Sequence, residues 1–320
     1  RPVYLALAPL THSAGIFCLP MLALGGCIII MAKPDLVEFM CLIPLRRITH
    51  TFLPPVLLER LLQFEQLAAT DLSSLQCFWY GGEPIAAPLL EQALHTIGPV
   101  MGQVFGQTEV PMAISMMAPQ DHFNSDGSVA RNRLTSVGRP GHLLRVAILD
   151  QNGQLLPTDH IGEIVVRGAL VMLGYYNDVP ATKAAARFSW HHTGDLGYID
   201  SDGFLYVVDR AADAIVIDDL VVHSIQVERA LYQHPDVLFS AVVGVPDQIG
   251  AMQVVAVVQL RPDVCTSTED LTTLLKAHLG SVSASVQVQL WSDLPRSKNG
   301  KVLKNTIRES IYKSQMSAGH

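Results

Sequence analysis

The chain has 320 residues, of which 49% are hydrophobic and only 16% are charged, a composition too apolar for an intrinsically disordered protein. Its 22 basic and 29 acidic residues give a net charge of −7, and a weakly acidic chain without basic runs is a poor candidate for binding nucleic acid through the phosphate backbone. We therefore expect a globular protein with no nucleic-acid partner.

Residues 3–32 contain no Lys, Arg, Asp or Glu, and mean hydropathy is +0.29, which raises the question of a membrane span. Pro9, Pro20 and the pair Gly25-Gly26 interrupt this stretch, so no spanning helix is expected. No basic segment precedes a short apolar core, so a signal peptide is not expected either. The remaining pieces predict core elements of an α/β layer: a strand at 4–8, a helix at 14–24 and a buried strand at 27–31.

Cysteine and histidine usage bears on compartment and metal binding. The five cysteines are scattered, odd in number and without a CxxC pair, as expected for reduced thiols of a cytoplasmic protein. The twelve histidines include no HExxH spacing, and the adjacent His191 and His192 should point to opposite sides of an extended chain. A metal site built from histidine is therefore not expected.

The rest of the chain divides into three predicted regions. Residues 1–135 should be the remainder of a large α/β subdomain, with strands at 51–53, 75–79 and 100–105 and helices at 56–68 and 86–96. Residues 136–209 should form a small β-barrel subdomain, with strands at 145–150, 154–156, 163–167 and 204–208. Residues 210–320 should form a mobile α+β domain, with a helix at 225–233, strands at 240–245 and 254–260, and a helix opened by capping-box spacing at 266–269 and closed by Gly280.

Eight short motifs follow one another along the chain, each of them weak alone. They are Pro9-Leu10-Thr11-His12, Gly81-Gly82-Glu83-Pro84, Phe105-Gly106-Gln107-Thr108-Glu109, Ser136-Val137-Gly138-Arg139-Pro140, the stretch 162–175 ending in Gly174-Tyr175, Thr193-Gly194-Asp195-Leu196, Asp209-Arg210, and the stretch 295–301. The ordered set resembles the adenylate-forming superfamily of acyl-CoA synthetases, peptide-synthetase adenylation domains and luciferase. It is most similar to fatty-acyl- or aryl-CoA ligases.

The resemblance implies an ATP- and Mg²⁺-dependent ligase that joins a carboxylic acid to AMP, releases pyrophosphate and transfers the acyl group to coenzyme A. The first step brings two anions together, so catalysis must depend mainly on positioning and charge neutralisation. By resemblance, Thr108 contacts the phosphate and Glu109 holds Mg²⁺, which prefers hard oxygen ligands. Phe105 lies against the adenine beside Gly106. The same pocket is lined by Gly81, Gly82, Glu83 and Pro84.

The remaining implied roles fall on four polar residues. Asp195 accepts hydrogen bonds from both ribose hydroxyls, and Arg210 contacts the ribose or the phosphate. Lys301 is the catalytic lysine, whose ammonium offsets charge on the carboxylate and the α-phosphate. His12 gates the acyl pocket.

Each of these residues also has an ordinary structural interpretation. Arg210 could form a surface ion pair with Asp213, and Lys301 could belong to a solvated basic loop with Arg296, Lys298 and Lys304. The acyl pocket is expected along residues 79–80, 104–105 and 110–112. Its apolar wall fits a fatty or aryl acid.

Two departures from the family pattern stand out. The Ser/Thr/Gly-rich phosphate loop and the first subdomain have no counterpart, so the chain is expected to be a fragment that is inactive alone. The segment after Arg210 is also altered, since Ala211, Ala212, Val216 and Asp219 stand where other residue types are usual. A side chain at Asp219 would crowd the pantetheine arm, so thioester formation is hypothesised to be weak while adenylation survives.

Two alternatives remain open. The protein could be an adenylate-forming enzyme that transfers its acyl group to an acyl-carrier protein. It could also be a noncatalytic homologue that binds an acyl group or a nucleotide.

Overall fold

The structure is a computed structural model that describes residues 1–217, 220–247, 250–296 and 302–318. It contains two compact units, one formed by residues 1–193 and 197–207 and the other by residues 194–196 and 208 onward. The α/β class expected from the sequence is confirmed, because parallel strands and helices alternate through the first unit and an α+β arrangement follows in the second.

The first unit is built on a seven-stranded sheet with the order β2-β1-β3-β4-β5-β6-β7. Strands β1 to β5 are parallel, whereas β6 and β7 are antiparallel to their neighbours. The strands are β1 (Val3–Ala6), β2 (Cys27–Ile30), β3 (His50–Leu53), β4 (Cys77–Gly81), β5 (Met101–Gln107), β6 (Val110–Met117) and β7 (Arg139–Pro140).

Helices connect the parallel strands and cover the sheet. They are α1 (Ser13–Ile16), α2 (Cys18–Ala23), α3 (Leu36–Arg46), α4 (Pro55–Leu62) and α5 (Ala87–Thr96). Strand β1 shows why a continuous apolar run is needed: Leu5 packs with Phe39 in one core cluster, whereas Tyr4 packs with Phe17 in another. Successive side chains of a strand point to opposite faces of the sheet. A strand in a sheet covered on both faces therefore needs apolar residues at consecutive positions.

The charge-free N-terminal segment differs from expectation in two ways. The single helix predicted at 14–24 is broken into α1 and α2 at Phe17. The strand predicted at 27–31 exists as β2, but the prediction that it is buried is wrong: Ile30 is 60% exposed. Strand β2 pairs only with β1 and therefore forms the edge of the sheet. Among the described residues, no helix is long and apolar enough to cross a membrane.

A second sheet has the order β10-β11-β9-β8, with β12 also paired to β11. Its elements are β8 (Leu144–Leu149), β9 (Gly162–Gly168), α6 (Val179–Ala185), β10 (Ala186–Arg187), β11 (Trp190–Ile199) and β12 (Leu205–Arg210). The strand predicted at 154–156 is reduced to an isolated bridge between Leu149 and Leu155. Strand β11 was not predicted, because its buried positions include polar residues, such as His191, Thr193 and Asp195, that hide the usual apolar alternation.

The second unit contains β13 (Ile215–Ile217), β14 (Leu220–Val222), α7 (Ser224–Leu231), β15 (Val237–Pro246), β16 (Met252–Leu260), α8 (Thr268–Leu279), β17 (Val286–Leu290) and α9 (Lys304–Ala318). Strands β15, β16 and β17 form a three-stranded sheet. One face of β16 packs with α7 and α8 through residues such as Val254, and the other packs with Ile307 of α9 through residues such as Val255. Burial on both faces explains the unbroken apolar run at 254–258.

The N-terminus of α8 is capped one residue later than predicted. Ser267, rather than Thr266, is the cap, and it exchanges hydrogen bonds with Asp270. We expect Ser267→Ala to lower the free energy of unfolding by about 1 kcal/mol, because the Asp270 backbone N–H loses its side-chain acceptor. Urea unfolding should show this loss, and Ser267→Thr, which keeps a hydroxyl, should retain most of the stability.

Candidate active site

The predicted nucleotide-binding segments of the first unit lie at one edge of its sheet. Strands β1, β3, β4 and β5 are parallel neighbours, so their carboxyl ends share an edge. In open α/β sheets, ligands bind outside this edge. The segment 9–12 follows β1, the segment 82–84 follows β4, and Thr108-Glu109 follows β5. The fold thus brings three motifs together that are far apart in the chain.

The glycine pair at the end of β4 is explained by close packing at Gly81 and by a positive φ at Gly82. Gly81 has a φ of +151°, and a Cβ there would lie 2.3 Å from the carbonyl oxygen of Val104 on the adjacent strand β5. Gly82 has a φ of +85°, and a Cβ there would lie 3.8 Å from Ser13 Oγ. A side chain at Gly81 would push β4 and β5 apart. Beyond the pair, Glu83 is half-buried and Pro84 is exposed.

Thr108 and Glu109 form a two-residue turn that joins β5 to β6, with Gln107 paired to Val110 across its base. Thr108 is exposed and Glu109 is half-buried. Before the turn, Gly106 is half-buried and the ring of Phe105 packs against the cluster that contains Val110. An exposed hydroxyl and a carboxylate on a tight turn can present oxygen atoms to a ligand.

Two contacts from a later segment hold Glu109. The Tyr175 hydroxyl donates a hydrogen bond to Glu109 Oε1 at 2.8 Å, and the Met172 N–H donates to the Glu109 carbonyl oxygen at 2.8 Å. The hydrogen bond to the Glu109 carboxylate raises the pKa of the Tyr175 phenol. Gly174-Tyr175 is part of a sequence motif, and the motif predicts no role for the tyrosine.

A histidine from β11 contacts the same turn. The Gln107 side-chain amide lies 2.9 Å from His191 Nε2, and His191 is 6% exposed. Burial lowers the pKa of His191. Because an amide nitrogen can only donate, Gln107 is the donor and His191 Nε2 the acceptor in this contact. The neighbouring His192 instead lies 2.7 Å from Glu163, so the expectation that the two rings point apart is confirmed.

His12 follows β1 at the same edge of the sheet. It is exposed, it occupies the N-cap position of α1, and its Nδ1 lies 2.8 Å from Thr11 Oγ1. Its role in gating an acyl pocket stays a prediction. Of the residues expected to line that pocket, Tyr80, Val104 and Val110 are buried in three different apolar clusters. These three side chains are core residues.

In the second unit, the two predicted ribose-binding residues contact each other. Arg210 Nε lies 3.0 Å from Asp195 Oδ1, and Asp195 is 4% exposed. The Ala211 N–H donates to the Gly194 carbonyl oxygen at 2.8 Å, which ties the residue after β12 to the middle of β11. The alternative ion pair between Arg210 and Asp213 is not formed among the described residues, because Arg210 pairs with Asp195 and Asp213 pairs with Arg308 at 3.7 Å.

Lys301 and Asp219 lie outside the described residues. The flanks of the lysine segment are described: Arg296 and Val302 form an antiparallel bridge, so the base of this loop is closed. Lys304 is not part of a solvated basic loop, since it begins α9 and lies 2.9 Å from Glu228. That correction follows from a partner 76 positions earlier in the chain, which local sequence cannot indicate.

Comparison with known families gives two matches along this chain. The AMP-binding enzyme family matches residues 1–176, and the AMP-binding enzyme C-terminal domain matches residues 226–301. The first match alone covers more than half of the chain.

Individual proteins are similar over nearly the whole chain. The medium/long-chain-fatty-acid–CoA ligase FadD8 of Mycobacterium tuberculosis is 37% identical over 98% of the chain, which covers 55% of that protein. The amide bond synthetase McbA of Marinactinospora thermotolerans has a TM-score of 0.89 at 33% identity, with 96% of this chain and 62% of that one covered. The o-succinylbenzoate coenzyme A synthetase MenE of Bacillus subtilis, solved with ATP and magnesium, has a TM-score of 0.82 at 28% identity, with 95% and 61% covered.

The chain thus spans between 55% and 62% of the length of these three proteins. The match over residues 1–176 includes the glycine pair of β4 and the Thr108-Glu109 turn, and the second match includes the position of Lys301. From the family matches and the fold, we conclude that the chain belongs to the AMP-binding enzyme family.

Proposed function

We propose that the protein containing this chain is an ATP-dependent acid–thiol ligase. A substrate carboxylate oxygen attacks the α-phosphorus of ATP, the bond to the β-phosphate breaks, and acyl adenylate and pyrophosphate result. The thiol of coenzyme A then attacks the acyl carbon, and AMP leaves as the thioester forms. The observation that carries this proposal is the Thr108-Glu109 turn after β5, at the edge of the sheet where the parallel strands end. The Gly81-Gly82 pair lies at the end of β4, the neighbour of β5 in the sheet.

The residues present fit a magnesium ion shared with a nucleotide. Within the described ranges, no group of three or more His, Cys, Asp or Glu side chains could enclose a metal. Mg²⁺ in nucleotide-binding enzymes usually has one or two carboxylates, with phosphates and water completing its shell. Glu109 would supply the protein ligand, the Thr108 hydroxyl would contact the phosphate, and the ion would neutralise phosphate charge.

The other residues would orient the substrates. Asp195 would accept hydrogen bonds from the ribose hydroxyls, and Arg210, already paired with it at 3.0 Å, would fix the orientation of this carboxylate. Phe105 and the segment 81–84 would bound the adenine site, and His12 would stand near the reacting carboxylate. Lys301 would neutralise the charge that develops between carboxylate and α-phosphate.

We assign the acid to the fatty or aryl class. Similarity to FadD8, a medium/long-chain-fatty-acid–CoA ligase, favours a fatty acid. Similarity to MenE, an o-succinylbenzoate CoA synthetase, supports an aryl acid as the second substrate class. The three-region division at 135 and 209 stays a prediction. Cytoplasmic localisation is also proposed, and it is supported by free thiols at Cys18, Cys27, Cys41, Cys77 and Cys265.

The acceptor is the point on which a second candidate deserves a test. Ala211, Ala212 and Asp219 depart from the usual residues in the segment that would admit a thiol. The structure of McbA, an amide bond synthetase, is also similar to this chain. An amine, or an acyl-carrier protein, is therefore the alternative acceptor for the same adenylate.

ATP–pyrophosphate exchange in the intact protein, with a panel of fatty and aryl acids, tests the proposal. We expect exchange with at least one acid, and Glu109→Gln should reduce it by roughly 100-fold, because a carboxylate ligand of Mg²⁺ is lost. Glu65→Gln, a change at an exposed acid in the helical turn after α4, is the matched control. Absence of exchange with every acid would favour the noncatalytic homologue.

Product analysis then decides the acceptor. The adenylating enzyme is supplied in turn with coenzyme A, a phosphopantetheinyl carrier protein and a simple amine. Rapid formation of the CoA thioester would overturn the hypothesis that thioester formation is weak, and amide formation alone would identify the second candidate.

A further inference from the structure

The segment 168–182 contacts the Thr108-Glu109 turn at both main chain and side chain. The Met172 N–H donates to the Glu109 carbonyl oxygen at 2.8 Å, and the Tyr175 hydroxyl donates to Glu109 Oε1 at 2.8 Å. Tyr175 is 40% exposed, so its ring is not held by deep burial. The hydrogen bond to Glu109 is therefore a specific contact rather than a consequence of core packing.

The backbone around Tyr175 is fixed by the first turn of α6. Gly174 has a φ of +155°, and a Cβ there would lie 2.9 Å from Thr182 Cγ2. The Tyr175 N–H donates to Thr182 Oγ1 at 2.9 Å, and the Thr182 hydroxyl donates to the Asp178 carbonyl oxygen at 2.8 Å. Asp178 also caps α6 by accepting from the Ala181 N–H at 2.9 Å. The phenol is thus presented from an anchored backbone.

A carboxylate on a two-residue turn can otherwise rotate among several orientations. Each fixed rotamer costs conformational entropy when a ligand binds. One hydrogen bond to Oε1 limits this rotation and leaves Oε2 available. Partners that orient a metal-binding carboxylate typically contribute strongly to metal affinity.

We propose that Tyr175 is a positioning residue that holds Oε1 of Glu109, so that the carboxylate presents its other oxygen to the divalent cation of the nucleotide. This inference rests on the proposed function, because it takes Glu109 as the cation ligand. It adds a residue for which the sequence motifs supplied no role. The effect is on cation affinity, with adenylation at saturating cation little changed.

The chain offers a matched control in the adjacent tyrosine. Tyr176 is 94% exposed. Tyr175→Phe and Tyr176→Phe each remove one hydroxyl from the same segment, and neither change creates a cavity. A general effect on the segment would appear in both variants, whereas a positioning role would appear in the first alone.

The test measures Mn²⁺ binding to the intact protein by electron paramagnetic resonance. The nucleotide present is α,β-methylene-ATP, in which the bond between the α- and β-phosphates is replaced by a methylene link that the enzyme cannot cleave. We expect Tyr175→Phe to weaken Mn²⁺ binding roughly tenfold and to raise the Mg²⁺ concentration for half-maximal exchange by a similar factor. Tyr176→Phe should match the unaltered protein in both measurements, and thermal unfolding of the two variants should coincide.

Glu109→Gln distinguishes failure of the Tyr175 positioning role from failure of the proposed cation site. If Glu109→Gln weakens Mn²⁺ binding and Tyr175→Phe behaves like Tyr176→Phe, the positioning role is wrong and the cation site stands. If Glu109→Gln leaves Mn²⁺ binding and exchange intact, the proposed cation site and the role of Tyr175 are both overturned.

Discussion

Replacement of Lys301 by alanine should slow acyl-adenylate formation by roughly 10²–10³-fold while nucleotide binding changes little. The reason is electrostatic: the ammonium is proposed to offset charge that develops only as carboxylate and α-phosphate approach each other, so its loss affects the transition state more than the bound nucleotide. ATP–pyrophosphate exchange at saturating acid measures the first quantity, and calorimetric titration with AMP measures the second.

The described flanks of the lysine loop give this experiment a matched control. Arg296 bridges to Val302, the Leu303 N–H donates to the Pro295 carbonyl oxygen at 2.8 Å, and the Arg296 guanidinium lies 3.6 Å from the centre of the Phe239 ring. Both ends of the loop are therefore held in the second unit. Lys298→Ala removes a positive charge from the same loop, and we expect it to leave exchange within about twofold of normal.

Comparison of the two lysine variants distinguishes a catalytic role of Lys301 from that of an ordinary solvated lysine. If Lys298→Ala and Lys301→Ala have the same small effect, the loop is an ordinary solvated basic loop and the catalytic assignment of Lys301 is wrong. A large loss confined to Lys301→Ala would support the assignment.

Replacement of Lys304 by methionine should lower the free energy of unfolding by about 3–5 kcal/mol, the cost typical of leaving a buried charge without its partner. Lys304 Nζ lies 2.9 Å from Glu228 Oε1 and donates to Ser224 Oγ at 2.8 Å. Glu228 also accepts from the Val242 N–H at 2.9 Å, and its side chain is only 13% exposed. Methionine fills similar volume, so the loss reports charge rather than packing.

A second buried carboxylate, that of Asp209, adds to the cost of removing the Lys304 charge. Asp209 is completely buried, and it accepts hydrogen bonds from the Ser224 N–H at 2.6 Å and the Ser224 hydroxyl at 2.8 Å. Lys304, Ser224 and Asp209 thus link the start of α9 to the residue before Arg210. Two carboxylates near one ammonium leave excess negative charge when the ammonium is removed.

The loss should depend on pH with a defined sign. Burial raises the pKa of Glu228 even though Lys304 opposes the rise. A carboxyl whose folded pKa lies above its unfolded value contributes stability at low pH, and that contribution is lost as pH rises through the folded pKa. Because Lys304→Met removes the opposing charge, the variant should be closer to normal stability at pH 5 than at pH 8.

Urea unfolding of the intact protein at the two pH values measures this difference, and a double variant provides the control. Glu228→Gln in the Lys304→Met background should recover most of the lost stability and remove most of its pH dependence, because the carboxylate that contacts Lys304 directly is then neutral, while Asp209 keeps its two hydrogen bonds from Ser224. Equal destabilisation in the single and double variants would show that Lys304 acts through packing alone.

Most core elements could be predicted from the sequence, except those in which polar residues hide the apolar pattern. The run at 254–258 and the glycine pair at 81–82 could be interpreted locally, because burial on two faces and close backbone approach each demand particular residue types. Strand β11 could not be predicted from its local sequence, since the polar residues His191, Thr193 and Asp195 occupy its buried positions. The exposure of β2 also required the sheet order, which places it at an edge.

The family, the order of its motifs and the residue types available for nucleotide chemistry could be predicted from the sequence, because these depend on local patterns and spacing. The folded structure was needed to show that Glu109 Oε1 accepts a hydrogen bond from a tyrosine 66 residues later and that Lys304 donates to a serine 80 residues earlier. Such contacts join residues that the chain separates widely. They arise from the packing of strands and helices. The local sequence pattern around one residue therefore does not predict its distant partner.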